Sequence, residues 1–122
     1  MNKDPLYKSF FHAYAGIFAC IKNERNMRIH CSFMIAVIMA GIFFEISVLE
    51  WVICFMLFAM VESLELVNTA IEATVDLVTE DRKPLAKLAK DAAAGAVLIA
   101  AMAAAVIGLI IFIPKGMAYF NL

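Results

Sequence analysis

The sequence predicts an all-α integral membrane protein, with an amino-terminal amphipathic surface helix followed by three transmembrane helices. Three observations carry this reading. Of the 122 residues, 65% are hydrophobic and only 17% are charged, more apolar side chain than a small soluble domain can hide from water. Apolar runs recur at lengths that suit a hydrocarbon core, which needs about 20 helical residues. All of the ten Lys and Arg residues except Lys115 lie before the first apolar run or between the second and third, the asymmetry that fixes membrane orientation.

A chain of this length forms one membrane domain, residues 1–122. Its formal net charge of −1 gives no electrostatic footprint for a nucleic-acid partner. Cys20, Cys31 and Cys54 are too widely spaced for a CxxC motif and too few for a disulfide framework, so they read as packing residues. No cleavable leader is expected.

Residues 6–26 form the surface helix. Leu6, Phe10, Ala13, Tyr14, Ile17 and Ile21 share one face, while Lys8, His12 and Lys22 lie on the other, as in helices lying in the membrane interface. The polar stretch KNERNMRIH, 22–30, leads into a first span at 29–48. Glu45 and Glu50 bracket a short turn, and Trp51 is placed like an interfacial anchor at the start of a second span, 51–76. TEDRKPLAKLAKD, 79–91, reads as a polar loop. Residues 92–113 carry no charge and form the third span, ended by Pro114-Lys115-Gly116. Ala92, Gly95 and Ala96 suit close helix contact. The positive-inside rule places the amino terminus and the 79–91 loop in the cytoplasm and the carboxyl terminus outside, in a multi-pass protein of the plasma membrane.

The second span carries Glu62, Glu65, Asn68, Thr69, Glu72 and Asp76, and at 100° per residue they fall in one arc of about 120°. Ionisable groups at membrane depth face a protein interior or a wet cavity. Glu65 is expected near mid-bilayer and Asp76 at the inner surface, so the stripe joins cytosol to hydrocarbon. Glu62 is the member best explained by pairing with a basic residue of another subunit.

Several chemistries are excluded by motif. There is no GxxxxGK[ST] or GxGxxG loop, no ExxH pair for a di-iron bundle, no zinc pattern around His12 and His30, and no GxSxG elbow. What remains is acidic. Glu24 and Glu72, both near the cytoplasmic interface, can hold the Mg2+ of Mg-ATP, a cation usually bound by one or two carboxylates plus phosphates. Lys90 and Asp91 lie at the same level, and Lys90 can neutralise phosphate charge. Glu65, deeper, is placed to accept a hydroxyl proton. The set suggests phosphoryl transfer to a lipid alcohol, with a proton-relay transporter as the competing reading.

ELVNTAIEATVD, 65–76, resembles the signature of the small prokaryotic diacylglycerol kinases, E-x-apolar-N-[ST]-[SA]-apolar-E-x-x-apolar-D, and matches every specified position. NERNMRIH, 23–30, and AKDAAAGAVLIAA, 89–101, resemble the family's other two polar motifs in the same order. The resemblance implies a homotrimeric helical bundle whose active sites are shared between neighbouring subunits. It implies Glu65 as general base and Glu24 and Glu72 as the ligands of the nucleotide's metal. Lys90 and Asp91 would contact ATP, Asp81, Arg82 and Lys83 would approach it from the loop, and Asn68, Asp76 and Arg28 would support the site. His12 stands where the Gram-negative enzymes have an aromatic hydroxyl and is counted with the ATP contacts.

The surface helix FFHAYAGIFACIK lacks the arginine- and tryptophan-rich character of the Gram-negative enzymes. AAAGAV and the tail IGLIIFIPK look more like the Gram-positive branch, which is similar to undecaprenol kinases. The resemblance therefore favours undecaprenol as the lipid alcohol, with diacylglycerol as the alternative. A proton-coupled transporter and a purely structural subunit complete the competing readings.

Overall fold

The computed structural model describes residues 3–122. Among them are four helices and no strand: α1 (Leu6–Asn23), α2 (Arg25–Phe43), α3 (Val48–Val78) and α4 (Pro84–Tyr119). Helix α3 is central and packs on each of the other three. Helices α2, α3 and α4 are long and apolar enough to cross a membrane. Their outer faces expose Phe33, Met39, Met56, Ile99 and Ile110, among others, as a bilayer solvent allows. Leu6, Phe10 and Tyr14 on α1 are also exposed, so the apolar face of α1 is not satisfied by its own chain.

The boundary between α1 and α2 lies earlier than the sequence suggested. Glu24 is extended, with φ −106° and ψ 117°, and is at once the C-cap of α1 and the N-cap of α2. Arg28 Nη1 reaches back to the carbonyls of Ile21, at 3.2 Å, and Lys22, at 2.7 Å. These are among the last carbonyls of α1, which have no partner in their own helix. Arg28 therefore fastens the joint.

Helix α2 stops at Phe43, short of residue 48. Glu45 takes the left-handed conformation, φ 51°, and Ile46 N–H donates to Gly41 O at 3.1 Å, the pattern of a Schellman stop. Helix α3 begins at Val48 because Ser47 caps it. Glu50 N–H donates to Ser47 Oγ at 3.2 Å, and Ser47 N–H donates to Glu50 Oε1 at 3.0 Å, a reciprocal capping box. Trp51, expected as an interfacial anchor, packs against Gly41 within the chain. A Cβ added at Gly41 would lie 2.7 Å from the Trp51 indole, so glycine is what allows this contact.

The expected polar loop 79–91 is mostly helix. Pro84 sits in the first turn of α4, where its missing N–H is no loss and its φ is already helical, leaving 79–83 as the connection. Nor does Pro114 end α4, which runs on to Tyr119. The last turns are held from outside. Lys115 Nζ pairs with Glu50 Oε1 at 3.2 Å, and Tyr119 packs edge-on against Phe43 and Phe44. The stripe of α4 buried within the chain is Ala93, Val97, Ala100 and Ile111. Ala92 is exposed, and a Cβ at Gly95 would meet nothing within 4 Å, so neither makes a close helix contact within the chain. At 1.5 Å per residue, α3 is about 46 Å long and α4 about 54 Å, against a hydrocarbon core of about 30 Å. Both therefore extend beyond it.

Candidate active site

The acidic stripe of α3 turns inward. Glu65 is 1% exposed and Asn68 7%. Within the bundle, Glu65 Oε2 and Asn68 Oδ1 are buried with no hydrogen-bond partner, a costly arrangement for polar groups out of water. One turn further on, Asn68 Nδ2 donates to Glu72 Oε1 at 3.5 Å. Asp76, another turn along, accepts from Lys90 Nζ at 2.5 Å. From Glu65 to Asp76 the stripe covers about 16 Å along the helix axis.

Its outer end opens into a cleft of about 550 Å³ between the ends of α3 and α4. Asp76, Asp81, Arg82, Lys83, Lys90 and Asp91 all line it. The connection is short enough to fold these groups onto one another. Asp81 N–H donates to Thr79 Oγ1 at 3.1 Å, and Lys83 N–H donates to Asp81 O at 2.9 Å. Lys87, which was not singled out from the sequence, also lines the cleft and pairs with Asp91.

A second cavity of about 510 Å³ lies at the Glu62 end of the stripe, walled by α2, α3 and α4. Phe33, Met34, Leu57, Phe58 and Leu109 give it an apolar lining. Its polar side chains are His30 and Glu62, and Glu62 Oε2 accepts from the Cys31 thiol at 3.7 Å. Within its own chain the partner of Glu62 is thus a thiol. His30 Nε2 lies 3.8 Å from Glu65 Oε2. This neighbour was missed in the sequence, where neither histidine fitted a metal pattern. A wheel of α2 carries the signal, because His30 and Cys31 fall on the same inward stripe as Met27, Met34 and Gly41.

An apolar cavity lined by Glu62 and a charged cleft lined by Asp76 lie at the two ends of one row of polar side chains on α3, an arrangement with room for both a lipid and a water-soluble substrate. Residues 11–112 match the family model described as prokaryotic diacylglycerol kinase. The chain belongs to that family. It is 51% identical over 109 residues to an undecaprenol kinase of Bacillus subtilis, covering 89% of each chain. It is 41% identical over 110 residues to a diacylglycerol kinase of Synechocystis, covering 89% of this chain and 63% of that one. As a prokaryotic diacylglycerol kinase family member, the chain is a membrane-bound lipid kinase, and ATP-dependent phosphoryl transfer to a lipid alcohol is its reaction class.

For such a kinase, the acidic groups suit a nucleotide-borne Mg2+. Among the described residues no three His, Cys, Asp or Glu side chains converge as a self-contained cage, and Mg2+ is commonly held by one or two carboxylates completed by substrate phosphates. Glu24 and Glu72 both lie within electrostatic reach of Glu65. Although Glu24 is the N-cap of α2, its side chain makes no capping hydrogen bond. Within one chain, His12 is apart from this group. It is twelve residues before Glu24, about 18 Å along α1, and its Nε2 lies 3.8 Å from Asp4 Oδ2.

Proposed function

We propose that this chain transfers the γ-phosphate of Mg-ATP to the hydroxyl of undecaprenol, giving undecaprenyl phosphate. The observation that carries the reading is the α3 stripe, with buried Glu65 next to His30 of the apolar cavity wall and Asp76 in a charged cleft. The choice of lipid rests on the 51% identity with the Bacillus undecaprenol kinase. Diacylglycerol is the second reading, favoured by the name of the Synechocystis relative.

The lipid hydroxyl approaches Glu65 from the apolar side, and the nucleotide enters the cleft. Glu65 accepts the hydroxyl proton while the lipid oxygen bonds to the γ-phosphorus. The bond from that phosphorus to the bridging oxygen breaks, and ADP leaves. Glu24 and Glu72 hold the nucleotide's cation, which when bound offsets phosphate charge. Lys90 exchanges Asp76 for phosphate oxygens, and Asp81, Arg82, Lys83 and Asp91 flank the nucleotide. Asn68 orients Glu72, Asp76 holds Lys90 ready between turnovers, and Arg28 fixes the joint that carries Glu24. Positioning and electrostatics supply most of the rate enhancement.

The working assembly in this reading is a homotrimer with sites shared between subunits, and His12 reaches the nucleotide from a neighbouring chain. The amino terminus and the cleft face the cytoplasm, and the carboxyl terminus lies outside, in keeping with the placement of Lys and Arg.

The test is phosphate transfer from labelled ATP with Mg2+ by purified protein in micelles, with undecaprenol and diacylglycerol in competition. Preferential labelling of undecaprenol is expected. Preferential labelling of diacylglycerol would overturn the lipid choice and leave the chemistry, and labelling of neither by trimeric protein would overturn both.

A further inference from the structure

We infer that His30 is a positioning residue for Glu65, holding one oxygen of that carboxylate so that the other faces the lipid hydroxyl. The inference rests on the kinase reading above and assigns a role to a residue outside the set proposed there. Three observations carry it. Glu65 is the largest fully buried side chain, and its Oε2 has no hydrogen-bond partner. The imidazole Nε2 of His30 lies 3.8 Å from that oxygen, with the His30 side chain 21% exposed and that of Glu65 2%. His30 also lines the apolar cavity from which a lipid would present its headgroup.

The other polar groups nearby do not meet this need. Glu62 lines the same cavity and is a carboxylate, so it offers no donor when ionised. The Cys31 thiol already donates to Glu62. Asn68 turns its amide nitrogen to Glu72. Glu24 and Glu72 add only further negative charge around Glu65. Among these neighbours, His30 is the group that can present an N–H to Glu65 Oε2.

The separation of 3.8 Å is longer than a hydrogen bond. Catalytic hydrogen bonds are often long without substrate and tighten when it binds. Closing this gap would compensate a buried carboxylate and fix its plane. An unsupported carboxylate can rotate, and displacements of about 1 Å at a reacting group can lower the rate about a hundredfold.

The experiment compares His30→Phe, which keeps a ring but has no N–H, with His30→Gln, which keeps a donor. Both are made in the unsubstituted chain and in Glu65→Gln. In the unsubstituted chain, His30→Phe is expected to lower kcat about ten- to a hundredfold with the KM for ATP unchanged, and His30→Gln to recover most of that loss. In Glu65→Gln the same His30 changes are expected to have no further effect, because a residue acting through Glu65 has nothing left to position. If His30→Phe does not elute as folded protein, His30→Leu takes its place with less bulk in the same apolar wall. Unchanged kcat in the variant lacking the donor would overturn the role, as would equal losses in both backgrounds or no rescue by His30→Gln. No phosphate transfer by the unsubstituted chain would overturn the kinase reading itself and this role with it.

Discussion

At the end of the bundle that carries the 44–47 turn, the polar groups drawn in from solvent are matched. Ser47 and Glu50 cap α3 reciprocally, and Lys115 meets Glu50. Gly41 admits the Trp51 ring, and Phe43, Phe44 and Tyr119 pack edge-on around the last turn of α4. The end that carries the 79–83 connection is built differently. Its visible ion pairs, Lys90–Asp76 and Lys87–Asp91, are largely solvent-exposed and add little stability. Further along α3, buried oxygens of Glu65 and Asn68 stand without partners. One end is organised to hold helices together. The other leaves buried polar atoms without partners, as functional sites commonly do.

Substitutions at the two ends should therefore separate stability from turnover. The largest effect is expected from Glu65→Gln. Loss of a general base lowers rates about 10²- to 10⁴-fold, and removing a buried charge should leave the unfolding midpoint in detergent unchanged or higher. Near-normal turnover would remove Glu65 from the chemistry. Lys90→Met follows, with a drop in kcat/KM of about a hundredfold if Lys90 meets phosphate charge and no shift in unfolding midpoint. A destabilised but fully active Lys90 variant would move this residue to the structural side of the comparison.

At the turn end the order of effects reverses. Gly41→Ala forces a methyl group into the indole of Trp51 and should cost about 1–3 kcal/mol by overpacking, read as a lower denaturation midpoint, with kcat of the folded fraction unchanged. Full stability would mean that Trp51 moves away at no cost. Ser47→Ala removes one half of the capping box and should cost about 1 kcal/mol, again without loss of turnover. A specific loss of activity in either variant would show that the two ends are coupled.

Much of this division is legible in the sequence. The surface helix and three apolar helices follow from hydrophobic runs and their period, and the inward turn of Glu65 and Asn68 follows from a wheel of the second span. The charge of 79–91 suggests a loop and Pro114 a helix end, but neither settles where α4 begins or stops. A first-turn proline is compatible with a helix, and the end of α4 is held by residues far away in sequence, Phe43, Phe44 and Glu50. The contact of Gly41 with Trp51 and the approach of His30 to Glu65 depend on the register between helices. No single helix reveals that register.

The joint at Glu24 has a geometric consequence. Helices α1 and α2 are separated by this one non-helical residue, so a change in the angle between them is concentrated in its φ and ψ. A point on the axle of a wheel moves least when the wheel turns. The carboxylate of Glu24 sits at such an axle, while Leu6 and Phe43 lie at the rims. If a bilayer thins or curves and the two helices tilt to follow it, the acidic group between them is displaced less than any side chain farther along either helix.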